Sequence, residues 1–165
     1  MPGLTPSQKG AAAEAAVTAA AIELGLVVLR PLCEGGRYDL VIDLEPELLR
    51  VQCKWAKRLD GVLSVKLNTN RLTPAGYVRT TYTADEVDAI GVYSAELRRC
   101  FLIPIEEVAG GRGVHLRLDP ARNNQAQRVR WANDYRFEQA IRERLNRASA
   151  GTTSGKLARE RALGL

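Results

Sequence analysis

Residues 36–56 read GRYDLVIDLEPELLRVQCKWA, and two runs within this stretch decide the fold. In each run every second residue is apolar, which is the pattern of a half-buried β-strand. Pro46 separates the runs, so the stretch predicts two strands of a hairpin with one shared apolar face. The residues of that face are Leu40, Ile42, Leu44, Leu49, Val51, Cys53 and Trp55.

The opposite face of the predicted hairpin carries polar side chains. Because side chains alternate between the two faces of a strand, Asp39 lies on the same side as Gln52 and Lys54. Taken singly, these are an ordinary turn acid, strand amide and solvated lysine. Together they bring a carboxylate, an amide oxygen and an ammonium to one place, which favours a site. Asp43 shares the face and is expected in solvent, with a ligand role as the alternative.

An acidic residue on the first predicted helix is also informative. Lys9–Leu24 is rich in alanine, which favours a helix. At 100° per residue, Glu14 shares its stripe with Val17 and Ala21. A carboxylate on a buried stripe is costly unless it has a partner. Glu14 is therefore expected to meet a cation, a metal or a hydrogen-bonded group.

The rest of the chain predicts a single α/β domain. The continuous apolar run 26–32 predicts a strand buried on both faces. Residues 68–82, rich in Asn, Thr and Arg, predict a loop that either suits phosphate contacts or has no role. Further strands are predicted over 62–67, 89–93, 99–103 and 114–118, with a last helix capped by Asn133 or Asp134 and running to Arg147. We expect a lead over residues 1–8, the domain over 9–147 and a mobile basic tail over 148–165.

The charge of the chain is unevenly placed. The 165 residues include 24 Lys and Arg against 19 Asp and Glu, a net charge of +5. Residues 1–111 carry 12 basic and 14 acidic residues, a net of −2, whereas residues 112–165 carry 12 and 5, a net of +7. This balance favours a polyanionic partner for the last third. An aromatic content of 5% argues against a base-stacking platform for single strands.

Cysteine and histidine usage limits the class of protein further. The three cysteines are widely spaced among apolar residues, which is typical of reduced, buried thiols in a cytosol. The single His115 excludes a multi-histidine zinc site. No basic segment precedes an apolar leader, and Glu14 and Glu23 interrupt the first apolar run. We therefore expect a cytoplasmic protein with no membrane association and no organic cofactor.

The polar groups of the hairpin and helix suit metal-assisted chemistry on phosphodiesters. Asp39 and Glu14 supply carboxylates, Gln52 an amide oxygen and Cys53 a main-chain carbonyl, and hard cations such as Mg²⁺ prefer oxygen ligands. A metal of this kind lowers the pKa of a bound water and polarises the phosphorus centre. Lys54 supplies a cation that orients water or stabilises charge on the phosphate. The Cys53 side chain is expected in the core, not as a nucleophile.

These positions carry a resemblance to a known family. Lys9-Gly10 and Glu14 on the helix, then Asp39, then Gln52-x-Lys54, resemble the PD-(D/E)XK nuclease superfamily. Within it the chain is most similar to group I intron-associated (homing) endonucleases, which are related in core to archaeal Holliday-junction resolvases. The segments that carry the resemblance are KGAAAEAAV (9–17), GRYDLVID (36–43), RVQCKWA (50–56), DAIGVYSAE (88–96), CFLIPIEE (100–107) and NNQ…WANDY (123–135).

The resemblance implies a restriction-endonuclease-like α/β core of αβββαβ type, with a central mixed sheet flanked by helices. It implies Mg²⁺-dependent cleavage of double-stranded DNA, with Mn²⁺ as a substitute, by a homodimer or homotetramer. By position, Asp39 is the central metal ligand, Glu14 the helix acid, and Lys54 the motif lysine. Tyr38 replaces the motif proline. Gln52 replaces the usual acid, and a neutral ligand binds a divalent cation less strongly.

Alternatives to an active homing-type nuclease remain open at this point. They are a DNA-binding protein that keeps the fold without catalysis, a junction-resolvase-like enzyme and a protein-interaction module. The candidate DNA contacts have their own alternative, a solubilising surface. These candidates are Lys9, Arg71, Arg79, Gln125, Arg128 and Arg130.

Overall fold

The computed structural model describes residues 3–33, 35–73, 76–120 and 129–148, with backbone alone for 69–73 and 77–79. The first helix and the nine strands are α1 (Pro6–Glu23), β1 (Val27–Leu29), β2 (Leu40–Asp43), β3 (Leu48–Leu59), β4 (Val62–Lys66), β5 (Thr69–Thr73), β6 (Gly76–Thr80), β7 (Ala89–Ser94), β8 (Arg99–Pro104) and β9 (Gly113–Arg117). Short 3₁₀ helices cover Ile105–Glu107 and Ala132–Tyr135, and a second α-helix, α2, covers residues 137–148.

The β2–β3 hairpin forms as the alternation predicts. The strands are antiparallel, with Leu40 opposite Val51 and Ile42 opposite Leu49. All four of these side chains are fully buried. β3 continues to Leu59, three residues beyond the expected end, because its second half pairs with β4.

The main sheet is mixed, as predicted. Its strands run in the order β1-β2-β3-β7-β8, while β4 and β9 extend it from the second half of β3. β3 and β7 are parallel, and every other pair in the sheet is antiparallel. In the described chain, the connection from β3 to β7 carries β4, the separate β5–β6 pair and a turn. The αβββαβ pattern implied by the resemblance places a helix between its third and fourth strands, and the described residues form no α-helix between β3 and β7.

A separate hydrophobic core packs on each face of the main sheet. The residues of α1 and α2 that pack on the first face are Ala13, Val17, Ala21, Phe137 and Ile141. The second core joins β7 and β8 to β4, β9 and the segment after β6. Gly91 of β7 lets α1 approach closely, since a Cβ there would lie 2.9 Å from Val51 Cγ1 and 3.2 Å from Val17 Cγ1.

The start of α2 differs from the sequence prediction, whereas the start of α1 is explained by its cap. α1 begins at Pro6, three residues before the alanine-rich run, because Thr5 caps it and exchanges hydrogen bonds with Gln8 in a capping box. α2 begins at 137 instead of just after Asn133 or Asp134, since both of those residues lie in a 3₁₀ turn. Phe137 and Ile141 of α2 are buried and Leu145 is partly buried, so the helix packs with one apolar stripe.

Two strand predictions were wrong. The run 26–32 is not a strand buried on both faces: β1 has three residues and lies at the sheet edge, where Val27 is 60% exposed and Leu29 47%. An apolar run by itself does not distinguish a central strand from an edge strand. Residues 68–82 are not a loop, because β5 and β6 pair there as a two-stranded ribbon outside the main sheet. No helix in the described chain is long and apolar enough to cross a membrane.

Candidate active site

Asp39 and Gln52 meet where β2 begins. The Asp39 main chain donates a hydrogen bond to the Val51 carbonyl at 3.0 Å, which continues the β2–β3 pairing by one residue. Its carboxylate Oδ2 accepts hydrogen bonds from the Cys53 N–H at 2.8 Å and from the Gln52 side-chain amide. Gln52 Nε2 also lies 3.5 Å from the Cys53 main-chain oxygen. The structure thus brings together the three hairpin residues named from the sequence, with the amide nitrogen of Gln52 facing the Asp39 carboxylate.

Lys54 is half-buried on the same face of the sheet. Its Nζ lies 5.0 Å from the centroid of the Tyr82 ring. Burial lowers the pKa of Lys54, and the opposing effect of the Asp39 carboxylate does not cancel this. The ammonium is therefore partly removed from water, and the charge of the Asp39 carboxylate acts on it.

Glu14 reaches the same region from α1. Its side chain is 27% exposed and forms an ion pair with Arg30, which follows β1. Glu14, Arg30 and Asp39 line one cavity of about 430 Å³. Because Val17 and Ala21 are fully buried, the predicted stripe is confirmed, with Glu14 at its edge. The expected partner of this acid is supplied by the Arg30 cation.

Cys53 is a core residue, as predicted, whereas the predicted burial is wrong for Cys33, which is exposed, and only partial for Cys100. The Cys53 side chain is buried among the residues of the first face. Burial raises the pKa of the Cys53 thiol, and the negative charges of Asp39 and Glu14 raise it further. The thiol therefore stays protonated and does not act as a nucleophile.

The donor set fits a hard divalent cation. Across the described residues, no group of three or more His, Cys, Asp or Glu side chains could hold a metal. The groups that do converge are the Asp39 carboxylate, the main chain of Cys53 and the Gln52 side-chain amide, which presents its nitrogen to the other two. Each group carries an oxygen atom, and oxygen ligands suit Mg²⁺ with retained waters better than zinc.

Two further residues border this site and were not singled out from the sequence. Arg37 donates to Thr80 Oγ1 at 3.1 Å and to the Thr81 carbonyl at 2.6 Å. It also pairs with Glu86 at 2.8 Å, and its Cζ lies 4.9 Å from the Tyr82 ring centroid. No periodic pattern marks Tyr82, because its contacts are distant in sequence.

The candidate DNA contacts lie in different places. Lys9 is exposed on α1. Arg71 and Arg79 lie on β5 and β6 of the ribbon. Arg130 donates to the Glu107 carbonyl at 2.9 Å and lies 3.6 Å from the Glu107 carboxylate. Residues 121–128, with the candidates at 125 and 128, are outside the described residues.

Known proteins share this architecture and motif. The profile of the PD-(D/E)XK endonuclease family matches residues 4–138. The chain belongs to the PD-(D/E)XK endonuclease family. A solved structure of a bacterial homing endonuclease, I-Ssp6803I, superposes with a TM-score of 0.69 at 28% identity. The alignment covers 89% of this chain and 97% of that chain. No curated protein gives a significant match.

These matches confirm the resemblance drawn from the sequence. Glu14 lies on α1, Asp39 directly before β2, and Gln52 and Lys54 on β3. The restriction-endonuclease-like fold and the endonuclease class are therefore established.

Proposed function

We propose that this endonuclease hydrolyses double-stranded DNA with Mg²⁺ and is of the group I intron-associated, homing type. The contact of Asp39 with Gln52 and Cys53, beside the half-buried Lys54, carries the proposal. The homing endonuclease neighbour supports the choice of DNA as substrate.

Each residue of the site has a distinct role in this proposal. Asp39, Gln52 through its amide oxygen and Cys53 through its main-chain carbonyl would hold Mg²⁺, or Mn²⁺ in its place. The bound ion would lower the pKa of a water and polarise the scissile phosphate. Lys54 stabilises the negative charge that develops on the phosphate, because its ammonium is preorganised in a partly dry site.

Gln52 does more in this arrangement than replace an acid. Its amide nitrogen donates to Asp39, which orients the carboxylate, and its amide oxygen is the atom left to ligate. A carboxylate at the same position would repel Asp39 when no cation is bound. Gln52 therefore lowers the charge of the site, at the cost of weaker cation binding.

Glu14 would serve as an accessory ligand. It lines the cavity with Asp39 and is neutralised by Arg30 in the observed arrangement. As a ligand, Glu14 would give up this ion pair, and Arg30 would then be available to the anionic substrate.

DNA binding is proposed to involve the ribbon and the basic residues named from the sequence. A two-stranded β-ribbon fits the major groove, and β5–β6 carries Arg71 and Arg79. Lys9, Gln125, Arg128 and Arg130 complete the set of proposed contacts.

The three free cysteines suit the reducing cytoplasm in which we place the enzyme.

A homodimer or homotetramer is the proposed assembly. Each chain carries one Asp39, so cleavage of both strands in one encounter needs at least two chains. In the described residues β1 pairs with β2 alone, and Val27 and Leu29 are exposed on it. An apolar edge strand of this kind favours association.

A second function, DNA binding without cleavage, is favoured by the neutral Gln52. The deciding experiment incubates the protein, Lys54→Ala and Lys57→Ala with supercoiled and branched DNA, with Mg²⁺ or with EDTA. Lys57 is the matched control, since it lies on the same strand and is exposed. Metal-dependent nicking that is lost only in Lys54→Ala supports the enzyme. Salt-sensitive retardation without cleavage supports the second function. If the protein neither cleaves nor binds DNA, the protein-interaction module remains as the explanation.

A further inference from the structure

We propose that Tyr82, fastened by Arg37, is a positioning residue that holds the Lys54 ammonium in place for hydrolysis. The inference rests on the proposed function, because Lys54 acts on a phosphate only in an active nuclease. It adds two residues, from outside the motif, to the machinery of the site.

The first observation is the environment of the Tyr82 ring. The residue is 3% exposed and belongs to the core of the second face. Lys54 Nζ lies 5.0 Å from the ring centroid and Arg37 Cζ 4.9 Å from it. A cation within about 6 Å of a ring face is attracted by the ring quadrupole, most strongly where water is excluded. One buried ring therefore attracts both cations.

The second observation is the fastening of the segment that carries Tyr82. Arg37 bonds to Thr80, to the Thr81 carbonyl and to Glu86, and so spans this segment on both sides of the ring. The Gly110 N–H donates to the Tyr82 carbonyl at 3.0 Å. Tyr82 is thus held by its own main chain and by Arg37.

These contacts answer a physical need of the lysine. A lysine stem has four rotatable bonds, and an ammonium that moves by about 1 Å loses much of its effect on a transition state. The negative charge of Asp39 attracts the Lys54 ammonium, but Asp39 is proposed to ligate the cation. The Tyr82 ring attracts the ammonium without competing as a metal ligand.

The same contacts join Arg37 and Tyr82 to the end of the β5–β6 ribbon. Arg37 lies two residues before Asp39 in the chain and bonds to Thr80, the last residue of β6. The segment with Tyr82 follows directly. The ribbon proposed to bind DNA is therefore joined to the proposed catalytic lysine through two side chains.

A structural role alone would predict a different set of results from the positioning role. Tyr82→Leu keeps an apolar side chain in the core but removes the ring. We expect its kcat to fall about tenfold or more, with KM for DNA nearly unchanged. Tyr82→Phe restores the ring and is expected to rescue kcat. Tyr93→Leu removes a ring from the other face of β7 and is the matched control, with kcat close to that of the unaltered protein.

A second pair of variants separates ring electrostatics from packing. Phenylalanine and 3,4,5-trifluorophenylalanine at position 82 have nearly the same shape, but fluorination weakens the ring quadrupole. We expect the trifluoro protein to have the lower kcat at an unchanged melting temperature. Since both rings fill the same space, this comparison stands even where Tyr82→Leu does not fold.

Failure of the inference and failure of the proposed function give different results. If the unaltered protein cleaves DNA and the two ring forms have equal kcat, the positioning role is overturned and the nuclease stands. If the unaltered protein does not cleave DNA with Mg²⁺ or Mn²⁺, the proposed function falls and the inference with it. A lower kcat for the trifluoro ring, in a protein whose cleavage requires Lys54, supports both.

Discussion

Gln52 donates its side-chain amide to the carboxylate of Asp39 across the β2–β3 pair. The contact follows from the register of the two strands. Leu40 lies opposite Val51, so Asp39, which precedes Leu40, lies opposite Gln52, which follows Val51, on the other face of the sheet. The Cys53 N–H donates to the same carboxylate oxygen. β3 therefore orients Asp39 with one side-chain donor and one main-chain donor.

Gln52→Glu is expected to lower the stability of the cation-free protein and to strengthen cation binding. Gln52 is 8% exposed, and a carboxylate there would replace a donor to Asp39 with a like charge. Without divalent cations we expect the free energy of unfolding to fall by about 1–3 kcal/mol. Mg²⁺ should then raise the melting temperature of the variant more than that of the unaltered protein. An equal response of both proteins to Mg²⁺ would contradict a ligand role for position 52.

Asp39→Asn is expected to abolish cleavage with little loss of DNA binding. The amide keeps the shape of the side chain but removes the charge that attracts the cation, so we expect cleavage to fall about a hundredfold or more. Asp43→Asn is the control, because Asp43 shares the face but accepts a hydrogen bond from Glu45 N–H in the turn. Single-turnover cleavage and gel retardation in Ca²⁺ measure the two effects. Equal cleavage by the Asp39→Asn and Asp43→Asn proteins would remove Asp39 from the proposed metal site.

The hairpin part of this site was accessible to sequence reasoning because a period of two assigns faces without knowledge of the fold. It put Asp39 and Gln52 on one side of the sheet, and these two side chains are hydrogen-bonded. It put Lys54 on the same side, and the charge of Asp39 acts on its pKa. Helical periodicity likewise placed Glu14 beside a buried stripe.

The contacts that sequence reasoning missed join residues far apart in the chain. Arg37 bonds to Thr80 and Glu86, and Lys54 meets Tyr82, through folding that no local pattern encodes. Residues 68–82 predict a loop because their sequence lacks the apolar alternation of a strand with one buried face. In the described residues β5 and β6 pair with each other and not with the main sheet.

The pair formed by Arg50 and Asp88 is expected to make stability depend on pH. Asp88 accepts three hydrogen bonds from Arg50, at 2.7, 3.0 and 2.7 Å. Burial raises the pKa of the Asp88 carboxyl, but the bonds from Arg50 outweigh this and hold the pKa below its usual value. A depressed pKa contributes stability above the unfolded value of about 3.9, and this contribution is lost as pH falls through the folded value.

Asp88→Asn tests this dependence. At pH 7 we expect the variant to lose about 2–3 kcal/mol of unfolding free energy, the effect of losing charge-assisted bonds. As the pH falls below about 4, the difference from the unaltered protein should shrink, because protonation removes the same charge from Asp88. Urea unfolding of the variant and of the unaltered protein, at pH 7 and at a pH below about 4, measures the difference in unfolding free energy. A constant difference would assign the loss to shape and not to charge.

Gly91→Ala is expected to push α1 away from the sheet. The new Cβ would lie 2.9 Å from Val51 Cγ1 and within 3.3 Å of both Val17 methyl groups, and both of these valines are fully buried. Overpacking of this kind costs about 1–3 kcal/mol. Gly10→Ala is the matched control: it lies within α1 with no atom within 4 Å of a new Cβ, and alanine there should stabilise the helix by about 1 kcal/mol. Because α1 carries Glu14 to the cavity, cleavage should fall in Gly91→Ala even below its melting temperature. Equal stability and cleavage in the two variants would show that α1 does not depend on this close approach.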